Sequence, residues 1–210
     1  MAGISGGKNY HHGDLRNALV CAAVGLAAEG GPERVVLREA ARRVGVSPTA
    51  AYRHFDGRGE LLRTVRAHAR VRLAEAMERA AAREPGADDP ALAAERRLAA
   101  LCRGYVGFAV EHPGLYRAAF GTVRPAAEPP AGRPVPPEPE IRAFTLLREA
   151  QEALDRTGGR RPAAGAAAWS AVHGLSLLLL EGPLRRLSAQ RRADVVETTL
   201  AMVVSGARAR

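Results

Sequence analysis

Residues 36–55 read V-L-R-E-A-A-R-R-V-G-V-S-P-T-A-A-Y-R-H-F, and the fold class follows from them. Leu37, Ala40, Ala41 and Val44 share one face of a helix over 37–44, while Arg38, Arg42 and Arg43 point elsewhere. Gly45 has the permissive backbone that ends such a helix. Ser47 can cap the next one, with Pro48 at its first position. Small Ala41 and Ala51 flank the turn, where the two helices must cross closely. The spacing predicts a helix-turn-helix. A plain amphipathic hairpin in an all-helical protein shares this periodicity, but the chemistry of its second helix differs. Thr49, Tyr52, Arg53 and His54 crowd one short segment, all able to bond phosphates or base edges, and would make a poor core. Phe55 reads as core.

At 210 residues the chain has ample material for one large domain, or for a small one fused to a larger one. Its net charge of +9 and isoelectric point near 10.8 favour an anionic partner. Residues 1–83 carry 14 Lys and Arg against 8 Asp and Glu, a net of +6, whereas 84–210 carry 17 against 14, a net of +3. The positive field is therefore denser at the front. Arginine supplies 30 of the 31 basic residues in a chain rich in Ala, Gly and Pro, a bias that genome composition alone produces, so it is not by itself a sign of DNA binding. Cys21 and Cys102 lie far apart, without a CxxC or a His/Cys cluster, and read as small core residues in a reduced cytoplasm. Residues 1–13 hold no apolar stretch of the signal-peptide kind, so secretion is not expected.

Along the chain, Asp14 can cap a first helix striped by Leu15, Ala18, Leu19, Ala22 and Leu26 until Gly30-Gly31-Pro32 breaks it. Ahead of it, Lys8, Asn9, Tyr10, His11 and His12 form a polar arm that reads either as a loose terminus or as a DNA-backbone contact. After the Asp56-Gly57 turn, a helix over 59–83 carries Leu62, Val65, Ala69, Leu73 and Ala76 on one stripe, a rod on the order of 36 Å long. Helices follow over 91–110 and through Phe120, then over 140–157, 163–180 and 190–207. Residues 121–139 hold seven of the fourteen prolines and read as a mobile linker. No segment alternates like a strand, so the class is all-α: an N-terminal helix-turn-helix domain over 1–58 and a C-terminal helical bundle over 59–210. The nineteen uncharged residues 162–180 raise the question of a membrane span. Eight of them are Ala or Gly, and Ser170, His173 and Ser176 interrupt the run, which instead predicts a helix buried between its own domain and a partner subunit, with no membrane role.

These segments together resemble a TetR-type transcriptional regulator. The likeness runs through Y-H-H-G-D-L-R at 10–16, L-R-E-A-A-R-R-V-G-V-S at 37–47 and Y-R-H-F-D-G-R-G-E-L-L at 52–62. E-H-P-G-L-Y-R-A-A-F at 111–120 and A-W-S-A-V-H-G-L at 168–175 are similar to a C-terminal domain type of that family marked by Trp-xxx-His-Gly. The resemblance implies nine helices, three for DNA and six for ligand binding, and a homodimer formed through the last two. Such proteins are usually cytoplasmic repressors released from a palindromic operator in double-stranded DNA by a small molecule. Carried over by position, the DNA contacts fall on Ser47, Ala50, Tyr52, Arg53, His54 and Arg58, with Pro48 and Thr49 in the same segment. We expect Thr49 and Arg53 to read bases while Tyr52, His54 and Arg58 position the backbone. Two departures stand out: Val36 replaces the usual capping Thr or Ser, and Gly59 replaces a usual acid, which is expected to weaken the start of the long helix.

For an effector, Tyr105, Phe108, Tyr116, Phe120, Phe144, Trp169 and His173 are the large or polar-tipped groups among Ala and Leu, and they fit a small apolar or amphipathic molecule. Filling the core is the other reading of each. For the dimer face the expected residues are Trp169, Leu177, Val196, Leu200 and Val203, so Trp169 stands under both headings. Neither His173 nor His112 has Asp, Glu or Cys at metal-ligand spacing, and no metal or cofactor is expected. An all-helical enzyme or carrier is the competing class; against it, the chain has no nucleophile–base pair, no Gly-rich phosphate loop and no carboxylate pair in an apolar setting, so no catalytic residue is expected.

Overall fold

Nine α-helices and two short 3-10 turns, with no strand, account for the regular structure of the described residues, which in this computed structural model are 12–121, 141–158 and 162–208. In chain order they are α1 (His12–Gly30), α2 (Leu37–Val44), α3 (Pro48–Tyr52), α4 (Arg58–Ala82), α5 (Pro90–Glu111), α6 (Pro113–Phe120), α7 (Arg142–Gly158), α8 (Ala164–Leu180) and α9 (Ala189–Arg208). The 3-10 turns, Pro32–Arg34 and Pro183–Arg186, have no periodic signal at sequence level. The all-α class holds, and apart from the start of α1 the ends of the long helices fall within a residue or two of expectation. Helix α1 begins at His12, so Asp14 lies inside it rather than at its cap. The expected arm at Lys8–His11 and the expected linker at 122–139 lie outside the described residues.

Three helices form the head. Gly45 adopts φ 78°, a left-handed turn that closes α2, and the Val46 N–H reaches back to the Ala41 carbonyl at 3.0 Å. Ser47 Oγ accepts from the Ala50 N–H at 3.2 Å, with Pro48 next in line, as the sequence predicts. Val36 indeed offers no side-chain cap to α2. Helix α2 packs on α1 through buried Leu37, Ala40 and Ala41, and Arg43 meets Glu29 of α1 through two hydrogen bonds of 2.7 and 2.6 Å. Glu39 is bracketed by Arg42 and Arg43, and the Arg42 hydrogen bond draws its carboxyl down to about 2. These pairs are exposed and add little stability, but they fix geometry.

The start of α4 is firmer than Gly59 implies. Glu60, the next residue, accepts from the Asp56 N–H at 2.8 Å and pairs with Arg16 at 3.4 Å. An acid one position later thus ties the first turn of α4 to the backbone just ahead of it. Arg16 also lies over the Phe55 ring, 4.7 Å from its centroid, and Phe55 is buried as expected.

Helix α4 buries Leu61, Leu62, Val65, Ala69, Leu73 and Met77 and joins head to body. In the body, α5 is central and packs on α4, α6, α7, α8 and α9. Gly104 allows the α4–α5 crossing: a β-carbon there would stand 2.7 Å from Met77 Cα and 2.9 Å from the Ala76 carbonyl. Cys102 lies in this core, and burial pushes its thiol up to about 12. Cys21 corrects the sequence reading, because it faces solvent on α1. No helix among the described residues is long and apolar enough to cross a membrane.

Candidate DNA interface and effector site

Helix α3 is only five residues long, so tertiary anchoring must hold it. Ala51 and Phe55, both buried, supply that anchor on its inner side. The opposite side presents Ser47, Pro48, Thr49, Tyr52 and Arg53 to solvent, with Ala50 and His54 half-buried. Tyr52 is 49% exposed, a large aromatic left outside a core that had room for Phe55. Arg58, expected to grip a phosphate, also has a task inside the protein. Its Nε donates to the Val35 carbonyl at 2.9 Å and its Nη2 to the Pro32 carbonyl at 2.8 Å, so it already holds the segment between α1 and α2.

The body gathers six of the seven expected effector residues. Trp169 and His173 stack with ring centroids 5.7 Å apart and planes 9° apart. Tyr105 meets Trp169 edge-on at 5.2 Å, Phe120 meets it at 5.7 Å and Phe144 at 5.8 Å. Phe108 is not among them; it turns to His112, 5.2 Å away, near the end of α5. Three residues beyond Tyr105, it is offset by about 60° round the helix and about 4.5 Å along it.

The polar centre of this cluster is His173 Nδ1, which has the hydroxyls of Tyr105 and Tyr116 each at 2.8 Å. Tyr116 also interacts with buried Ser176, a residue that sequence reasoning passed over because a serine in a helix most often bonds its own backbone. Burial raises the Tyr105 phenol and pushes Tyr116 up to about 12, so both stay protonated at neutral pH. Burial also lowers His173 from its ordinary 6.5. Neutral His173 is therefore favoured by folding, and the unfolded chain takes up its proton first. The resulting stability is complete above pH 6.5 and is lost as pH falls through the folded value. We expect the thermal midpoint to fall on acidification below that point, with a shallower slope in His173→Asn; identical slopes would mean another group titrates.

The rings close the space between α5, α6, α7 and α8. Two cavities lie elsewhere, one of about 910 Å³ between α8 and α9 and one of about 380 Å³ near the α5–α6 junction. Of the expected dimer face, Trp169, Val196 and Val203 are half-buried, and Val203 lines the cavity between α8 and α9. Leu200 is buried in its own chain, and Val196, Val203 and Trp169 pack on the same core. Leu177 alone of the five is exposed, at 40%. The outward sides of α8 and α9 carry Ala166, Ala167, Ser170 and Leu178, and Thr198, Ala201 and Met202. Periodicity finds the apolar stripe of a helix but not the molecule that covers it.

Residues 19–65 match a family model described as bacterial regulatory proteins, tetR family, and 98–203 match a tetracyclin repressor-like C-terminal domain. A protein with unknown function from Rhodococcus sp. RHA1 is similar in structure, with 25% identity, a TM-score of 0.71, and 95% of this chain and 98% of that one covered. A tetR-family transcriptional regulator from Streptomyces coelicolor shares the fold at 20% identity and TM-score 0.53, covering 93% and 88%. The TetR family transcriptional regulator PfmR from Thermus thermophilus does so at 20% and 0.50, covering 90% and 95%. No curated protein matches the chain.

Proposed function

The chain belongs to the TetR family of bacterial regulatory proteins and is a DNA-binding transcriptional regulator, and on that premise we propose that it is a cytoplasmic homodimeric repressor released from a palindromic operator by a small effector. Residues 1–58 form the operator-binding unit in this reading and 59–210 the effector and dimer unit. The observation that carries it is the outward side of α3, where Thr49, Tyr52 and Arg53 project from a helix pinned by Ala51 and Phe55. Thr49 and Arg53 read base edges; Ser47, Pro48, Ala50, Tyr52 and His54 seat the helix against the backbone.

For the dimer, the small residues on the outward sides of α8 and α9 let helices of a second copy approach closely. The 910 Å³ groove, lined by Ala164, Ala167, Ala171, Met202 and Gly206, and exposed Leu177 and Leu178 support this reading.

The effector enters the cluster of Tyr105, Tyr116, Phe120, Phe144, Trp169 and His173. Two hydroxyls compete for the one lone pair or proton at His173 Nδ1, which favours an apolar or amphipathic ligand with one polar group to take the displaced partner. Entry must part the rings, and Tyr116 lies on α6, which packs on both α1 and α4. Movement there alters the α4 rod and the separation of the two recognition helices from the one-turn spacing of about 34 Å.

A selection of bound sequences from pooled random oligonucleotides tests the whole reading. Enrichment of a palindrome is expected, and no enrichment would sink it. An inducer that weakens operator binding must be weakened by operator in the same ratio.

A further inference from the structure

The 380 Å³ cavity gathers residues from five elements: Val110 near the end of α5, Pro113 and Arg117 of α6, Leu179 of α8, Arg185 of the 3-10 turn after it, and Arg192 near the start of α9. Its charge is one-sided. Arg117, Arg185 and Arg192 all line it, and no acidic side chain does. Other arginines that line up with acids are neutralised by them, as Arg43 is by Glu29, Arg103 by Glu197, and Arg142 by Glu78 and Glu149. Among the described residues, none of the three cavity arginines has a carboxylate partner or a side-chain hydrogen bond.

Three like charges around one concavity with apolar walls concentrate a positive potential, which an anion relieves. Guanidinium groups match a carboxylate fork to fork. Val110, Pro113 and Leu179 offer the contact area an alkyl chain needs. We propose that this cavity is a binding site for an amphipathic anion, a carboxylate on a short acyl chain. It shares no residue with the aromatic cluster and does not depend on the effector assigned there.

The test is calorimetric titration of the full-length protein with decanoate, alongside decanol and inorganic phosphate as the tail and the head alone. The variant is Arg185→Gln/Arg192→Gln, since Arg117 is also close to the head: its Nε lies 3.3 Å from where a β-carbon on Gly31 would stand. Decanoate is expected to bind the parent protein, at least tenfold more weakly in the variant and more weakly in high salt. Decanol and phosphate should each bind the parent at least tenfold more weakly than decanoate. Unchanged circular dichroism and melting would show that the variant is folded; otherwise Arg192→Gln alone serves in its place. Trp169, the one tryptophan, reports on the aromatic cluster and should not respond. The proposal is overturned by equal binding to parent and variant, by phosphate matching decanoate, by quenching of Trp169 in both proteins, or by no binding at about 1 mM decanoate.

Discussion

Replacing Gly114 with alanine should destabilise the protein by roughly 2–3 kcal/mol, read as a thermal midpoint lower by roughly 5–10 °C at this chain length. The cause is backbone against backbone. A β-carbon on Gly114 would collide with the Ala27 carbonyl oxygen and stand 2.6 Å from that of Ala28, so α6 meets the last turns of α1 with no side chain between them. Neither carbonyl can rotate away as a flexible side chain would, since both belong to helix α1. The strain therefore falls on the seam between head and body. Arg66 and Arg70 of α4 tighten that seam from the other end of α6, donating to the Gly121 carbonyl at 2.7 Å and the Ala119 carbonyl at 3.1 Å. Gly107→Ala is the control. Its β-carbon would meet nothing within 4 Å, so it should leave the midpoint unchanged or raise it slightly. Equal midpoints for the two variants would refute the close approach.

Arg53→Ala should cost the operator complex roughly 1–3 kcal/mol while leaving binding to random DNA nearly intact. The argument rests on exposure and support. Arg53 is exposed one residue past the end of α3, and its backbone N–H bonds back to the Ala50 carbonyl at 3.3 Å, which holds the base of the side chain. Arg58→Ala is the informative contrast. An arginine that only gripped a phosphate would lower affinity for all sequences evenly and flatten the salt slope. Because Arg58 also donates to the Val35 and Pro32 carbonyls, its loss should lower the thermal midpoint as well. Equal losses of Arg53→Ala on operator and random DNA would mean that Arg53 reads no base.

The head was legible from one stretch because its determinants are short-range. A cap three residues from its donor, a glycine at a left-handed turn and a proline at a first helical position act within a few residues, and Ser47, Gly45 and Pro48 all do so where expected. The long helix and the aromatic cluster were legible for a related reason, since a 3.6-residue period marks what must be buried. What failed was assigning partners. Cys21 sits in an apolar pattern yet faces solvent, and Leu200 lies on an apolar stripe that its own chain covers. Gly59 looked like a weak start because Glu60 and Arg16, 44 residues apart, meet only in the folded chain.

By itself the sequence determined the all-helical class, the helix-turn-helix and the residues with chemistry to offer DNA, because each is written in local backbone preference and in the period of one helix. The tertiary structure decided which face of α8 and α9 is left outward, that two tyrosines converge on His173 Nδ1, that Arg58 braces the head, and that Arg117, Arg185 and Arg192 share one cavity. These are meetings between helices. Their outcome depends on how close two backbones can come, at Gly104 and Gly114 above all, and no single helix carries that information.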